Sequence, residues 1–121
     1  MMISAYIWVG FLGSLGAISR FQISLWLNPS EGFPIGTLLA NVIGCLLLGF
    51  CTSLSESHLD GPLKKGVTTG FLGSLTTFST FSVETLQLFE QSPAQGIFYF
   101  LSQLILGFLA AGLGYWLGKS L

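Results

Sequence analysis

The chain has 121 residues, of which 51% are hydrophobic and only 7% are charged, and its formal net charge is −1. A soluble domain has about 25% charged residues, so this composition excludes a soluble enzyme; the chain also lacks the basic face of a nucleic-acid binder. Its charged residues leave four uncharged stretches of 18 residues or more, at 1–19, 32–55, 66–83 and 91–118. Helices of that length cross a bilayer core of about 30 Å. The sequence therefore predicts an all-α integral membrane protein.

Four transmembrane helices are expected in one domain that covers residues 1–121. They span about residues 3–27, 34–54, 65–90 and 93–118. Asn28-Pro29 stops the first helix, and Pro34 begins the second, since proline suits a first helical turn. The N-terminus lacks the basic region of a signal peptide, so we interpret the first stretch as a retained helix.

The charge bias between the two sides of the membrane is weak. An even number of spans places Lys64, Lys65 and Lys119 on the side of both termini and leaves Arg20 towards the other side. The positive-inside rule then predicts termini in the cytoplasm. So small a bias equally permits a chain that inserts both ways and pairs with its inverted copy. Four short helices rarely enclose a polar pathway, so a transport function implies an oligomer, most simply a dimer.

The third helix is unusually polar at its centre. Eight of the thirteen residues 70–82 are Gly, Ser or Thr, which predicts a helix interrupted at mid-membrane depth. Non-helical backbone is tolerated there only when it is buried in protein or lines a cavity. Free carbonyls at such a break attract a cation, and free amides favour an anion. Ser79 and Thr80 add hydroxyl donors, and the ring edges of Phe78 and Phe81 can line a narrow anion path.

Polar side chains in two other helices are further candidates. Thr37 and Asn41 lie four residues apart on one face of the second helix. Asn41 either donates hydrogen bonds to an anion or binds a neighbouring helix. Arg20 either snorkels to the interface or lies in a water-filled mouth that attracts anions. Glu84 would repel anions if it were free, so we expect it to be hydrogen-bonded or to face water.

These residues resemble the CrcB/Fluc family of fluoride channels. The resemblance rests on Gly-Ala-Ile-Ser-Arg20, on Gly36-Thr-Leu-x-x-Asn41-x-x-Gly44, and on Gly70-x-x-Gly73-x-x-Thr-Thr-Phe-Ser-Thr-Phe81. It implies an antiparallel, dual-topology homodimer in the plasma membrane or bacterial inner membrane, with two pores that export fluoride passively and so relieve fluoride toxicity. The partners implied are fluoride, a second copy and the lipid bilayer.

The resemblance also implies roles for individual residues. Asn41 would donate to the permeating ion, Phe78 and Phe81 would form an aromatic track, and Ser79 and Thr80 would lie on the polar side of the pore. The backbone carbonyls of Gly73 and Thr76 would hold a structural sodium ion. Arg20 would lie near an entrance, and Glu84 near the end of the polar track, where Thr37 is a further candidate.

The fourth helix departs from the family pattern. Some relatives carry a serine in the pore wall where this chain has Gly107, and either Gln103 or Ser102, one turn earlier, could replace its donor. An alternative function is a small proton-coupled multidrug-type or anion exporter, for which only Glu84 could carry the proton. A purely structural subunit leaves Asn41 and the third helix unexplained. An enzyme is not expected, because His58 is the only histidine and lies in a loop.

Overall fold

The protein is described by a computed structural model that covers residues 2–121; Met1, where the predicted domain begins, lies outside the described residues. Within that range the chain is all-helical, without a β-strand. The helices are α1 (Met2–Leu27), α2 (Ile35–Ser53), α3 (61–75), α4 (Ser79–Gln91) and α5 (Pro93–Lys119). Three of them, α1, α2 and α5, are long and apolar enough to cross a membrane. The protein is therefore a multi-pass membrane protein.

The third predicted helix consists of two helical segments, α3 and α4. α3 begins at Gly61, four residues before the predicted start, because Gly61 adopts a φ of 60° and Pro62 fits the first turn. Its middle, Gly66–Leu72, is π-helical, a geometry frequent at functional sites. Residues 76–78 are not helical, and α4 begins directly after them.

Close helix packing depends on glycines at two contacts. α2 packs along α5, and α1 packs along α3. A side chain at Gly114 of α5 would overlap the backbone carbonyl of Leu46, and one at Gly16 of α1 would overlap that of Phe71. Helices in lipid associate by van der Waals contact, which small residues make possible. Large apolar side chains cover the outer faces, where Phe108 is 79% exposed.

The buried apolar residues form two clusters on either side of the helix break. Ala40, Leu72 and Leu75 pack together where α2 meets α3. Phe81, Leu88 and Tyr99 pack together where α4 meets α5. The break between α3 and α4 therefore lies between two packed regions, beside buried polar residues of α2 and α5.

Candidate functional site

Asn41 of α2 binds the backbone at the helix break. In a continuous helix the amide of Thr77 would donate to the carbonyl of Gly73. Here the Thr77 amide donates to Asn41 Oδ1 at 2.7 Å, and Asn41 Nδ2 donates to the Thr77 carbonyl at 3.0 Å. One side chain thus takes over a donor and an acceptor that the break removes from the helix, and the Gly73 carbonyl loses its usual partner.

A chain of hydrogen bonds leads from Asn41 to a carboxylate. Asn41 Nδ2 donates to Gln103 Oε1 at 3.0 Å, and Gln103 Nε2 donates to the Tyr99 hydroxyl at 2.9 Å. The Tyr99 hydroxyl donates to Glu84 Oε2 at 2.5 Å. The other oxygen, Glu84 Oε1, accepts from the Thr37 hydroxyl at 2.8 Å. Glu84 is hydrogen-bonded, as expected from the cost of burying a free carboxylate.

Asn28, the first residue after α1, ends this chain. Its Nδ2 donates to the Thr37 hydroxyl at 3.0 Å and to Glu84 Oε1 at 3.5 Å. Its Oδ1 accepts from the Thr37 amide at 3.2 Å. We call the connected side chains the polar relay; its members are Asn28, Thr37, Glu84, Tyr99, Gln103 and Asn41. Tyr99 is fully buried and Thr37 is 1% exposed, so the centre of the relay is shielded from solvent.

A cavity lies at each end of the polar relay. The break cavity, of about 220 Å³, is lined by Asn41, Cys45, Thr76, Thr77, Phe78, Phe81, Gln103, Leu104 and Gly107. The entrance cavity, of about 230 Å³, is lined by Asn28, Pro29, Ser30, Glu31, Gly32, Pro34, Glu84, Gln87, Leu88 and Gln91. The lining of the break cavity carries no charged side chain, whereas that of the entrance cavity includes two carboxylates. The relay connects these two different environments.

Phe78 and Phe81 meet edge to face rather than side by side on one helical face. Phe78 lies in the break and is 75% exposed, whereas Phe81, in the first turn of α4, is 4% exposed. Their ring centroids are 5.4 Å apart at an interplanar angle of 80°. Phe81 also contacts Tyr99, with centroids 5.7 Å apart. The aromatic rings therefore form a row that leads from the break cavity to the middle of the relay.

The remaining predicted residues of α4 lie on its open side. Ser79 and Thr80 line a wide cavity of about 420 Å³ together with Val83, Glu84 and Gln87. The Ser79 hydroxyl lies 3.3 Å from the Thr77 hydroxyl, which accepts a hydrogen bond from the Thr80 amide at 3.1 Å. These hydroxyl groups form a polar strip, in which Ser79 is exposed and Thr77 and Thr80 are half-buried.

Arg20 and the candidates on α5 make distinct contacts. Arg20 Nε donates to the carbonyl of Ser74 at 3.1 Å, at the C-terminal end of α3, where helix carbonyls favour a cation. Of the α5 residues, Gln103 belongs to the relay, whereas Ser102 donates to the Phe98 carbonyl of its own helix at 2.7 Å. Gly107 lines the break cavity. Of these three candidates, Gln103 is the member of the relay, to which α5 also contributes Tyr99.

At the break, the oxygens available to a cation belong to the backbone rather than to acidic side chains. Residues 2–121 contain no group of three or more His, Cys, Asp or Glu residues placed to hold a metal ion. The Gly73 carbonyl lacks its helical partner, and Thr76, extended at φ −85° and ψ 154°, ends α3. Unwound backbone carbonyls and helix C-terminal ends are the donors that hold sodium in membrane transporters. The donor set at the break is therefore of the kind that a hard cation takes.

Comparisons with known proteins cover almost the whole chain. The family described as "CrcB-like protein, Camphor Resistance (CrcB)" matches residues 7–115. A Bacillus cereus protein named fluoride-specific ion channel FluC 1 is 45% identical in an alignment that covers 96% of this chain and 88% of the relative. An Acidobacterium capsulatum protein named fluoride-specific ion channel FluC is 40% identical, and the alignment covers 94% of this chain and 95% of that relative. A FluC 1 protein of Staphylococcus aureus is 43% identical, covering 96% of each chain.

Replacing Tyr99 by Phe tests whether the buried relay contributes to stability. Tyr99→Phe keeps the packed ring but removes a hydroxyl that donates to Glu84 and accepts from Gln103. We expect a loss of about 1–3 kcal/mol, because the buried Gln103 and the half-buried Glu84 each lose a partner. Tyr115→Phe is the matched control, since Tyr115 is 47% exposed on the same helix. Denaturation in mixed detergent micelles measures both variants, and equal midpoints would contradict a role of the relay in stability.

Proposed function

The chain belongs to the CrcB family, and on that premise we propose that it is a fluoride-selective channel through which fluoride leaves the cytoplasm passively, which relieves fluoride toxicity. The observation that carries the proposal is the break cavity, whose polar wall consists of neutral amide and hydroxyl groups. Conduction needs binding that is strong enough to replace water and weak enough to release the ion. Neutral donors meet both needs better than a fixed cation does.

The proposed ion path follows the aromatic row and the polar strip. The positive edges of Phe78 and Phe81 face an anion without binding it tightly. Both Nδ2 hydrogens of Asn41 already have protein acceptors, so an ion at the break competes with the Thr77 carbonyl or with Gln103 Oε1. Such competition gives brief, reversible binding. Ser79 and Thr80 supply the next donors along α4.

The two ends of the path carry the remaining candidates. Thr37 and Glu84 lie at the far end of the relay, beside the entrance cavity. The carboxylate oxygens of Glu84 accept hydrogen bonds, which lessens its repulsion of an approaching anion. Arg20 brings a positive charge to the end of α3. We assign it to the neighbourhood of an entrance, where it raises the local anion concentration.

A second copy of the chain completes the path in this proposal. The polar strip on α4 is open in the single chain, and a polar face exposed to lipid is costly. α3 and α4 are similar in length, which is consistent with a break near mid-membrane depth. An inverted copy would cover the strip and bring the two breaks together.

A sodium ion held by the Gly73 and Thr76 carbonyls would neutralise facing helix ends. Replacing sodium by an organic cation during purification checks the contribution of this ion to dimer stability.

The antiparallel arrangement predicts that the C-terminus occurs on both faces of the membrane. In a background in which Cys45 and Cys51 are replaced by Ala, Ser120→Cys places a single thiol in the exposed C-terminal segment. In sealed vesicles, a membrane-impermeant thiol reagent should label about half of this population from outside, and the rest only after permeabilisation. Labelling of all of it or none of it before permeabilisation would contradict the dual topology.

Fluoride efflux from liposomes tests the pathway itself. Purified protein should release fluoride rapidly but not chloride when a potassium ionophore balances the charge. We expect Asn41→Ala and Phe81→Leu to slow fluoride release by about tenfold or more, equivalent to about 1.4 kcal/mol in barrier height. Phe108→Leu makes the same aromatic-to-aliphatic change on an outer face and should release fluoride like the unaltered protein. Equal chloride release would contradict the selectivity, and a normal rate in Phe81→Leu would contradict the path.

The alternative function, a proton-coupled exporter, requires Glu84 to bind and release a proton. Its two oxygens accept from three donors in the relay, an arrangement that suits a fixed acceptor and favours a channel. Glu84→Gln distinguishes the two functions, because an exporter would lose all transport whereas a channel keeps passive fluoride flux without a proton gradient. Complete loss of flux in a folded Glu84→Gln protein would favour the exporter.

A further inference from the structure

Asn28 uses every hydrogen-bonding group of its side chain. Its amide oxygen accepts from the Thr37 main chain, and its amide nitrogen donates to the Thr37 hydroxyl and to Glu84 Oε1. Asn28 lies outside the transmembrane helices, between α1 and α2, yet it is the end of the polar relay. Nothing in the motif pattern of the sequence marks it as more than a residue that ends α1.

The start of α2 explains why an amide side chain is needed there. The residue before α2 is Pro34, which supplies no side-chain cap to the helix amides. Asn28 caps the third residue, Thr37, from a different segment of the chain. Gly36 permits the close approach, since a side chain there would come within 2.7 Å of Asn28 Oδ1. Because a backbone N–H can only donate, the amide oxygen of Asn28 is fixed on Thr37 and its NH₂ group must face the hydroxyl and Glu84.

The orientations of Asn28 and Asn41 then determine which group donates and which accepts in each hydrogen bond of the relay. Thr37 accepts from Asn28, so its single hydroxyl hydrogen goes to Glu84. At the other end, the Thr77 amide fixes the orientation of Asn41. Asn41 then donates to Gln103, Gln103 donates to Tyr99, and Tyr99 donates to Glu84. Both arms of the relay therefore end on the two oxygens of one carboxylate. The arrangement requires Glu84 to act only as an acceptor.

We propose that Asn28 is a positioning residue, which directs the Thr37 hydroxyl at Glu84 and so holds this carboxylate against Thr37 at the wall of the entrance cavity. The proposal rests on the channel function proposed above. Without the Asn28 donor, Thr37 can turn its hydrogen elsewhere and Glu84 loses two of its three donors. A released carboxylate would be free to extend further into the entrance cavity that it lines, and would repel an incoming anion more strongly.

The variant Asn28→Asp separates positioning from capping. Aspartate caps a helix as well as asparagine does, so the start of α2 keeps its cap. It cannot donate, and it places a carboxylate oxygen against Glu84. We expect fluoride efflux to fall about tenfold, the scale on which loss of a hydrogen bond to a charged group acts, and the denaturation midpoint to fall as well, because Thr37 and Glu84 lose a donor and Glu84 gains a like-charged neighbour.

The double variant Asn28→Asp/Glu84→Gln should restore function. The glutamine amide can donate to the new aspartate, so the contact re-forms with its donor and acceptor exchanged. Efflux should return to the rate of Glu84→Gln alone. Gln91→Glu is the matched control, because it adds one negative charge to the lining of the same entrance cavity outside the relay, and we expect it to change efflux less than Asn28→Asp does.

Three outcomes would overturn the proposal: normal efflux in Asn28→Asp, no recovery in the double variant, or equal losses in Asn28→Asp and Gln91→Glu. If Asn28→Asp does not fold, Thr37→Val removes the same donor to Glu84, and normal efflux in that variant would overturn the proposal instead. Failure of the unaltered protein to conduct fluoride would reject the channel function. In that case the coupling of positions 28 and 84 is measured by a double-mutant cycle of denaturation midpoints, and additive effects would overturn the positioning role.

Discussion

The structure depends on the way in which Asn41 satisfies the backbone between α3 and α4. Lipid offers no hydrogen bonds, so a helix that stops inside a membrane needs new partners for its free amides and carbonyls. Asn41 accepts from the Thr77 amide and donates to the Thr77 carbonyl. This pair of contacts permits three non-helical residues beside α2, and it leaves the Gly73 carbonyl and the Phe78 ring available for other interactions.

The polar relay extends this local solution across the protein. It joins the segment after α1 to α2, the break, α4 and α5, and α3 contributes no member. Within residues 2–121, no buried side-chain nitrogen or oxygen lacks a hydrogen-bond partner. A fully satisfied polar network specifies one arrangement of its members, whereas a partly satisfied one destabilises the fold. The relay therefore holds neutral donors in fixed positions beside the aromatic row.

Local sequence patterns predicted the helices and marked four of the six relay residues, but they did not predict the contacts that connect these residues. Long uncharged stretches mark α1, α2 and α5, and the run of Gly, Ser and Thr drew attention to the region where the chain leaves helical geometry. Thr37 and Asn41 could be placed on one face from their four-residue spacing. Their partners could not be identified, because Glu84 and Gln103 lie 47 and 62 residues further along the chain. Tyr99 was overlooked, although it lies four residues before Gln103, a spacing that places the two polar side chains on one face of a mostly apolar helix.

The reversal potential of the purified protein in a planar bilayer, with fluoride on one side and chloride on the other, tests the central claim most directly. A pore lined by neutral donors and aromatic edges predicts a current carried by fluoride, with a reversal potential that follows the fluoride gradient and does not require a proton gradient. A reversal potential near zero, which indicates equal permeability to both anions, would contradict the account.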